Sequence, residues 1–360
     1  MSEHPHSPLM PELPHDWIAS PPTESDTEDI ARMATAAKQR ATGSGSVSAD
    51  EVGMEVWGLG SWTRRQLVVR DGEGGDARLL AWVRVHDRAA GRTNIDLTLA
   101  PEATDRDELA SALLAWCEEI AARIAVERGL GGTLIDVSVH SADKEYQRFL
   151  EAAGFDLTRS WLQMSRPVTP TDRDLPAPRE GTRVRRVAEH DDGTPVAADI
   201  QTVHLMLEES FADHFNSYRE SFPEFLHRQR EVPGHRWDHW WISEVEEDGT
   251  WLPGGAVVSS VLPADDSGVE GSYLDYIGVH RLARGRGVAK ALIHAVIRDA
   301  AELGRNRVTL EVDADSPTGA DGLYQAMGWS TSYRTQSWHK TVDVDGVDAP
   351  IPEARAYDEG

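Results

Sequence analysis

One seven-residue ending occurs twice in this chain, and that repeat constrains the fold more than any other feature. Phe149-Leu-Glu-Ala-Ala-Gly-Phe155 and Leu323-Tyr-Gln-Ala-Met-Gly-Trp329 stand 174 residues apart. Each reads as a helix stopped by glycine and followed at once by an aromatic strand start. The elements before each ending also run in a similar order. The first half predicts a helix near 25–40, strands near 66–70, 79–86 and 93–99, a long helix over 104–128, a strand at 133–139, a helix at 142–153 and a strand at 156–166. The second predicts helices near 195–213 and 219–230, strands at 239–245, 254–262 and 271–279, a helix at 287–303, a strand at 307–313, a helix near 317–327 and a strand at 329–341. The warrants are local: Leu134-Ile-Asp-Val-Ser-Val139 and Thr309-Leu-Glu-Val312 are β-rich, whereas Ala289, Leu292, Ile293, Val296 and Ile297 fall at helical spacing. A duplicated fold explains the repetition of the whole order.

The run from Ser165 to Gly181 is rich in proline and charge and has no hydrophobic period, which makes it the expected boundary. The reading is a tail at 1–16, a domain at 17–168, a linker at 169–181, a second domain at 182–342 and an acidic tail at 343–360. Its class is α/β (α+β), with a mixed, mostly antiparallel sheet flanked by helices in each domain.

Charge narrows the function. With 36 Lys and Arg against 61 Asp and Glu, the formal charge of −25 argues against a nucleic-acid partner, which needs clustered positive charge. Lone Cys117 offers neither an intrachain disulfide nor a thiolate metal cluster, and no metal is expected. No long apolar run suggests a membrane partner, so a cytoplasmic monomer is the expectation. The acidic excess favours a cationic small-molecule partner.

The chemistry-bearing segment follows the strand Ser272-Tyr-Leu-Asp-Tyr-Ile-Gly-Val279, where the chain continues His280-Arg-Leu-Ala-Arg-Gly-Arg-Gly-Val-Ala-Lys290. Gly285 and Gly287 allow close backbone approach, and a helix starting near Gly287 leaves N–H groups pointing out of its first turn. With Arg284 and Arg286 as charged donors, the segment suits a diphosphate at a helix N-terminus. It lacks the Gly-Lys-Ser/Thr of the nucleotide P-loop, and Lys290 replaces the third glycine of the dinucleotide fingerprint.

Arg284-x-x-Gly287-x-Ala289, between a strand and an amphipathic helix, resembles the acetyl-coenzyme A signature of the GCN5-related N-acetyltransferases, the GNAT superfamily. Val312-Asp-Ala-Asp-Ser-Pro-Thr-Gly-Ala-Asp-Gly-Leu-Tyr-Gln-Ala-Met-Gly-Trp329 resembles the second motif of that family. The resemblance implies two tandem GNAT-like domains similar to the mycothiol synthase type, of which only the second carries the cofactor turn. It implies acetyl-CoA as co-substrate, held by Ile277, Val279, Arg284, Gly285, Arg286, Gly287, Val288, Ala289, Asp315 and Tyr324. Asp315 stands where many members have Asn.

An attacking amine must be unprotonated, the oxyanion needs donors and the departing thiolate needs a proton. The resemblance gives the Val279 N–H the carbonyl and Tyr324 the acid role. Asp275, read by period two as sharing a face with Ile277 and Val279, and Glu311 on the neighbouring strand are candidates for a base; either could equally bind a cationic acceptor. Asp213 and His214 are candidates to read the substrate. In the first half, Ala100-Pro-Glu-Ala-Thr-Asp-Arg-Asp-Glu108 has no glycine and four acids, with Thr104 read as a helix cap, so that half is expected to be structural only. His235, Asp238 and His239 read as packing and edge-strand polarity rather than a metal site, and Cys117 as core. The resulting expectation is transfer of acetyl to a primary amine of a small molecule. An acyl-CoA-binding sensor and a protein N-terminal acetyltransferase remain as alternatives.

Overall fold

A computed structural model of the protein describes residues 9–43, 45–74, 77–88, 91–211, 220–232, 234–265, 267–315 and 319–344. The chain divides into two compact units, Met1–Ser160 with Thr335–Gly360, and Trp161–Arg334.

Unit 1 runs β1 (Ile18–Ser20), α1 (Thr27–Thr42), α2 (Ala49–Val56), β2 (Arg64–Arg70), β3 (Leu79–Asp87), β4 (Arg92–Leu99), α3 (Arg106–Glu127), β5 (Gly132–His140) and α4 (Lys144–Ala152). Its core joins the buried stripe of α3, including Leu109, Leu113, Ile120 and Ile124, to the inward residues of β2 to β5. Cys117 lies in that core, where burial pushes its thiol up, away from the reactive thiolate.

Unit 2 begins within β6 (Asp156–Pro167) and continues with β7 (Thr182–Arg186), α5 (Ala197–Phe211), α6 (Phe222–Arg230), β8 (His235–Glu247), β9 (Thr250–Leu262), β10 (Gly271–Val279), α7 (Val288–Glu302), β11 (Arg307–Asp313) and α8 (Ala320–Ala326). Its sheet order is β6-β11-β10-β9-β8-β7. One core lies under α7, with Leu292, Ile293 and Val296 on Leu274, Val308 and Leu310. A second lies under α5 and α6, centred on Trp240, Ile242 and Phe225.

The unit boundary corrects the expected linker boundary in two ways. The last strand of each half pairs in the other unit. Trp161–Pro167 of β6 runs antiparallel to β11 over its whole length, from Trp161↔Asp313 to Pro167↔Arg307. The end of β12 (Ser330–Asp343) pairs with β5 from Thr335↔His140 to Asp343↔Gly132. Residue alternation specifies which face a strand buries and says nothing of its neighbour, so both strands were recognisable while their partners were not. In addition, 169–181 is no free linker. Arg173 donates to the Ala301 carbonyl at 3.1 Å, Arg298 to the Leu175 carbonyl at 2.9 Å, and the His294 ring lies 3.3 Å from the Pro176 carbonyl. The segment is therefore strapped along α7, running from that helix's C-terminal end towards its start.

The described parts of the expected tails are also folded: Leu9 and Leu13 pack on the unit 1 core, and Asp343 belongs to β12. Helix α2, absent from the sequence reading, is announced by a Ser48/Glu51 capping box. Edge strand β7 was missed because its alternate residues are arginines.

Candidate active site

Strands β10 and β11 are parallel for three residue pairs, Ser272↔Val308 to Leu274↔Leu310, and then part. At that point β10 carries a bulge against β9, between Leu274 and Tyr276, with Asp275 as the extra residue. Beyond it, Val279 lies opposite Gly255, and the His280 N–H donates to the Gly254 carbonyl at 3.0 Å. That bond flanks a non-hydrogen-bonded pair, so alternation turns the amides of Val279 and, two residues back, Ile277 away from β9 and into the cleft beside β11. These are backbone donors directed into the gap.

The following turn continues the site towards α7. Gly285 and Gly287 both adopt left-handed angles, with φ of 79° and 84°. A Cβ at Gly285 would meet nothing within 4 Å, so backbone angle alone selects glycine there; at Gly287 it would also lie 3.0 Å from the Arg179 Cδ. Gly287 is the N-cap of α7 and offers no side chain, which leaves the amides of Val288, Ala289 and Lys290 directed out of the helix start. Arg284 is exposed at the turn. Arg286 corrects the sequence reading: its guanidinium donates to the Glu246 carbonyl at 2.6 Å and pairs with Glu247 at 3.3 Å, so its charge is already engaged. Asp315 is exposed after β11, its N–H held by Asp313 at 2.9 Å.

Tyr324 projects from α8 into the α7 core, 7% exposed, with its ring edge-on to Trp329 at 5.7 Å. Burial pushes its hydroxyl up to about 12, so it holds its proton at neutral pH. Among the described residues its hydroxyl has no hydrogen-bond partner.

Asp275 departs from the expected face. The bulge breaks period two, so Leu274, Ile277 and Val279 face α7, whereas Tyr276 and Gly278 face α5 and α6. Desolvation pushes the Asp275 carboxyl up to about 7, opposed by a hydrogen bond from Ser260 and the charge of Arg228. Its Oδ2 is sealed from solvent and accepts no hydrogen bond. Such a carboxylate titrates where a general base must. Glu311 instead is exposed and accepts from Gln163 of β6. Asp213 and His214 lie outside the described residues.

Sequence reasoning missed a neighbouring network. Arg228 of α6 holds Glu220 with two bonds of 2.7 and 2.6 Å and donates to the Tyr276 hydroxyl at 2.6 Å. The Arg228 and Tyr276 types were visible, but only the fold brings α6 to β10. His235 stacks edge-on against Trp237 at 4.4 Å, and His239 turns Nδ1 to Asp238 at 2.8 Å and Nε2 towards Asp299 of α7 at 3.8 Å.

Unit 1 has a similarly parted strand pair, with a side chain bonded in the gap. Its parallel strands β4 and β5 also part after three pairs, Arg92↔Leu134 to Asn94↔Asp136. There the Leu97 amide donates to the Tyr146 hydroxyl at 3.1 Å. Helix α3 starts after Asp105, at φ 48°, rather than after the expected cap Thr104, and Arg106 is paired to Glu145 at 2.9 Å.

The site thus joins a splayed parallel strand pair to a glycine turn and an uncapped helix start. Residues 204–329, about a third of the chain, match the Acetyltransferase (GNAT) family. Human (Homo sapiens) N-acetyltransferase 8B is 30% identical over 111 residues, which cover 30% of this chain and 46% of that protein. The match thus spans less than half of that relative. The GCN5-related N-acetyltransferase from Sphaerobacter thermophilus shares the fold over 92% of this chain and 97% of its own, with a TM-score of 0.68 and 24% identity. The tandem GNAT protein from the clavulanic acid biosynthesis pathway does so over 91% and 98%, with a TM-score of 0.61 and 14% identity.

Proposed function

We propose that this protein transfers acetyl from acetyl-CoA to the primary amine of a small molecule, using unit 2 alone. The observation that carries the reading is the parted β10/β11 pair, which leads the free-facing amides of Ile277 and Val279 into the glycine turn at the start of α7. In this reading the Val279 N–H polarises the thioester carbonyl. Asp275 takes the proton of the attacking amine, and Tyr324 gives its proton to the departing thiolate. The buried Asp275 carboxyl and the exposed Glu311 divide the labour that the sequence left undivided: Asp275 acts as base, and Glu311 attracts the acceptor.

The acceptor is a small cationic amine, supported by the net charge of −25 and by Glu311 beside the cleft. A Cys-glucosamine-inositol skeleton, attacked through its α-amine, is one member of that class. The test is titration calorimetry with acetyl-CoA followed by an amine panel read by free-thiol release. One site per chain and turnover with a cationic amine are expected. Binding without turnover across the panel would make the chain an acyl-CoA-binding module instead.

A further inference from the structure

The strap that crosses α7 ends beside the cofactor turn. Arg173, Leu175 and Pro176 fix it successively to Ala301, Arg298 and His294, about one turn after another along the helix. At its far end the Thr182 hydroxyl donates to the Arg286 carbonyl at 3.2 Å, which anchors the strap to the turn itself. Between these anchors stands Arg179. Its stem lies against Gly287, with Cδ 3.0 Å from where a Cβ would be, and its Nη1 makes a long 3.4 Å contact to the Gly285 carbonyl. The side chain is exposed and has no ion pair among the described residues. Arg286 in the turn is already committed to Glu246 and Glu247.

We infer that Arg179, delivered by the strap from outside the cofactor motif, is a phosphate-binding residue for the coenzyme A diphosphate. The inference rests on the acetyl-CoA reading given above. The planar guanidinium stands beside both glycines of the turn that leads into α7, and its forked N–H donors match phosphate oxygens. Its weak bond to the Gly285 carbonyl costs little to exchange for a charged acceptor. The segment that looks like a linker in the sequence thus completes the site.

The test compares wild type, R179A and R179M by titration with coenzyme A and with dephospho-coenzyme A, which lacks only the 3′-phosphate, and records thermal unfolding of each without ligand. Loss of one exposed charge-assisted contact should weaken binding by about tenfold. The same factor is expected for both ligands and both variants, with unfolding temperatures unchanged, because R179M keeps the stem and removes only the charge. Wild-type affinity in either variant would overturn the inference. So would a loss confined to coenzyme A, which would move Arg179 to the 3′-phosphate. If wild type binds neither ligand, the acetyl-CoA reading falls and takes this inference with it. If wild type binds and the variants match it, only the role of Arg179 falls.

Discussion

The two parted strand pairs have nearly the same backbone and opposite contents. In each unit the parallel pairing stops after three residues, and the next amides on the inner strand turn into the gap. In unit 1 one of these amides is satisfied by Tyr146, whose phenol is buried and pushed up by desolvation. In unit 2 the helix holding Tyr324 starts later relative to β11, and among the described residues no side chain accepts from the amides of Ile277 and Val279. The turns diverge likewise: two left-handed glycines precede α7, while Asp105 and an Arg106–Glu145 pair precede α3. The units therefore differ in a few side chains and one turn, whereas the parting of the strands belongs to both.

The largest expected effect follows from the exchanged strands. A fragment cut at the apparent linker, 182–343, removes the whole β6 partner of β11 and retains 335–343 without β5. It should fail to give a cooperative unfolding transition, because β11 becomes an open edge over buried Val308 and Leu310. A fragment of 161–334 keeps β6 and the strap and should unfold cooperatively. Equal behaviour of the two in thermal circular dichroism would refute the exchange.

Next in size are the two changes that should make unit 2 resemble unit 1. Tyr324→Phe should lower kcat by about 10²–10⁴-fold with coenzyme A affinity preserved, since the hydroxyl acts only as the thiolate leaves. An unchanged kcat would make the tyrosine a packing residue. Gly287→Val places a β-branched side chain at φ 84° and against Arg179. Strain of about 1–3 kcal/mol at the turn should weaken coenzyme A binding by roughly tenfold or more.

How far the sequence could be read divides along the same line. Helix α7 was legible from its apolar spacing, the turn before it from Gly285 and Gly287, and helix α8 from the Gly328 that follows it. All three are determined by residues close together in the chain. The β6 and β12 partners, the strap contacts of Arg173 and Arg179, and the Arg228–Tyr276 bond join residues far apart, and no local period encodes them. Asp275 was found by residue type and then assigned the wrong face, because a single extra residue in β10 reverses the alternation.

Asp275 itself provides a smaller, pH-resolved effect. Its folded value of about 7 lies above the ordinary 3.8, so the native state binds its proton more tightly than the unfolded chain does. That favours the fold below about pH 4, and the advantage is lost as pH rises to about 7. Asp275→Asn should therefore raise the unfolding temperature relative to wild type at pH 8, by a few degrees, and not at pH 4. In the same variant the acidic limb of kcat/KM near pH 7 should disappear. Loss of activity with that limb intact would leave Asp275 a ligand for the acceptor rather than its base.

The smallest expected effect is the most direct test of why unit 1 differs. Tyr146→Phe removes one oxygen and leaves the ring, so packing against the unit 1 core is conserved while the Leu97 amide loses its acceptor. A buried donor left unpaired costs about 1–3 kcal/mol, and water admitted to the gap would recover part of that. The unfolding temperature should fall by a few degrees, and binding of coenzyme A should stay at one per chain, because the acidic, glycine-free start of α3 still repels a diphosphate. A second equivalent of coenzyme A bound by this variant would show that the tyrosine hydroxyl alone closes the first cleft and that its turn is irrelevant. No change in stability would show that the bond to Leu97 contributes nothing, and the contrast between the units would then rest on their turns.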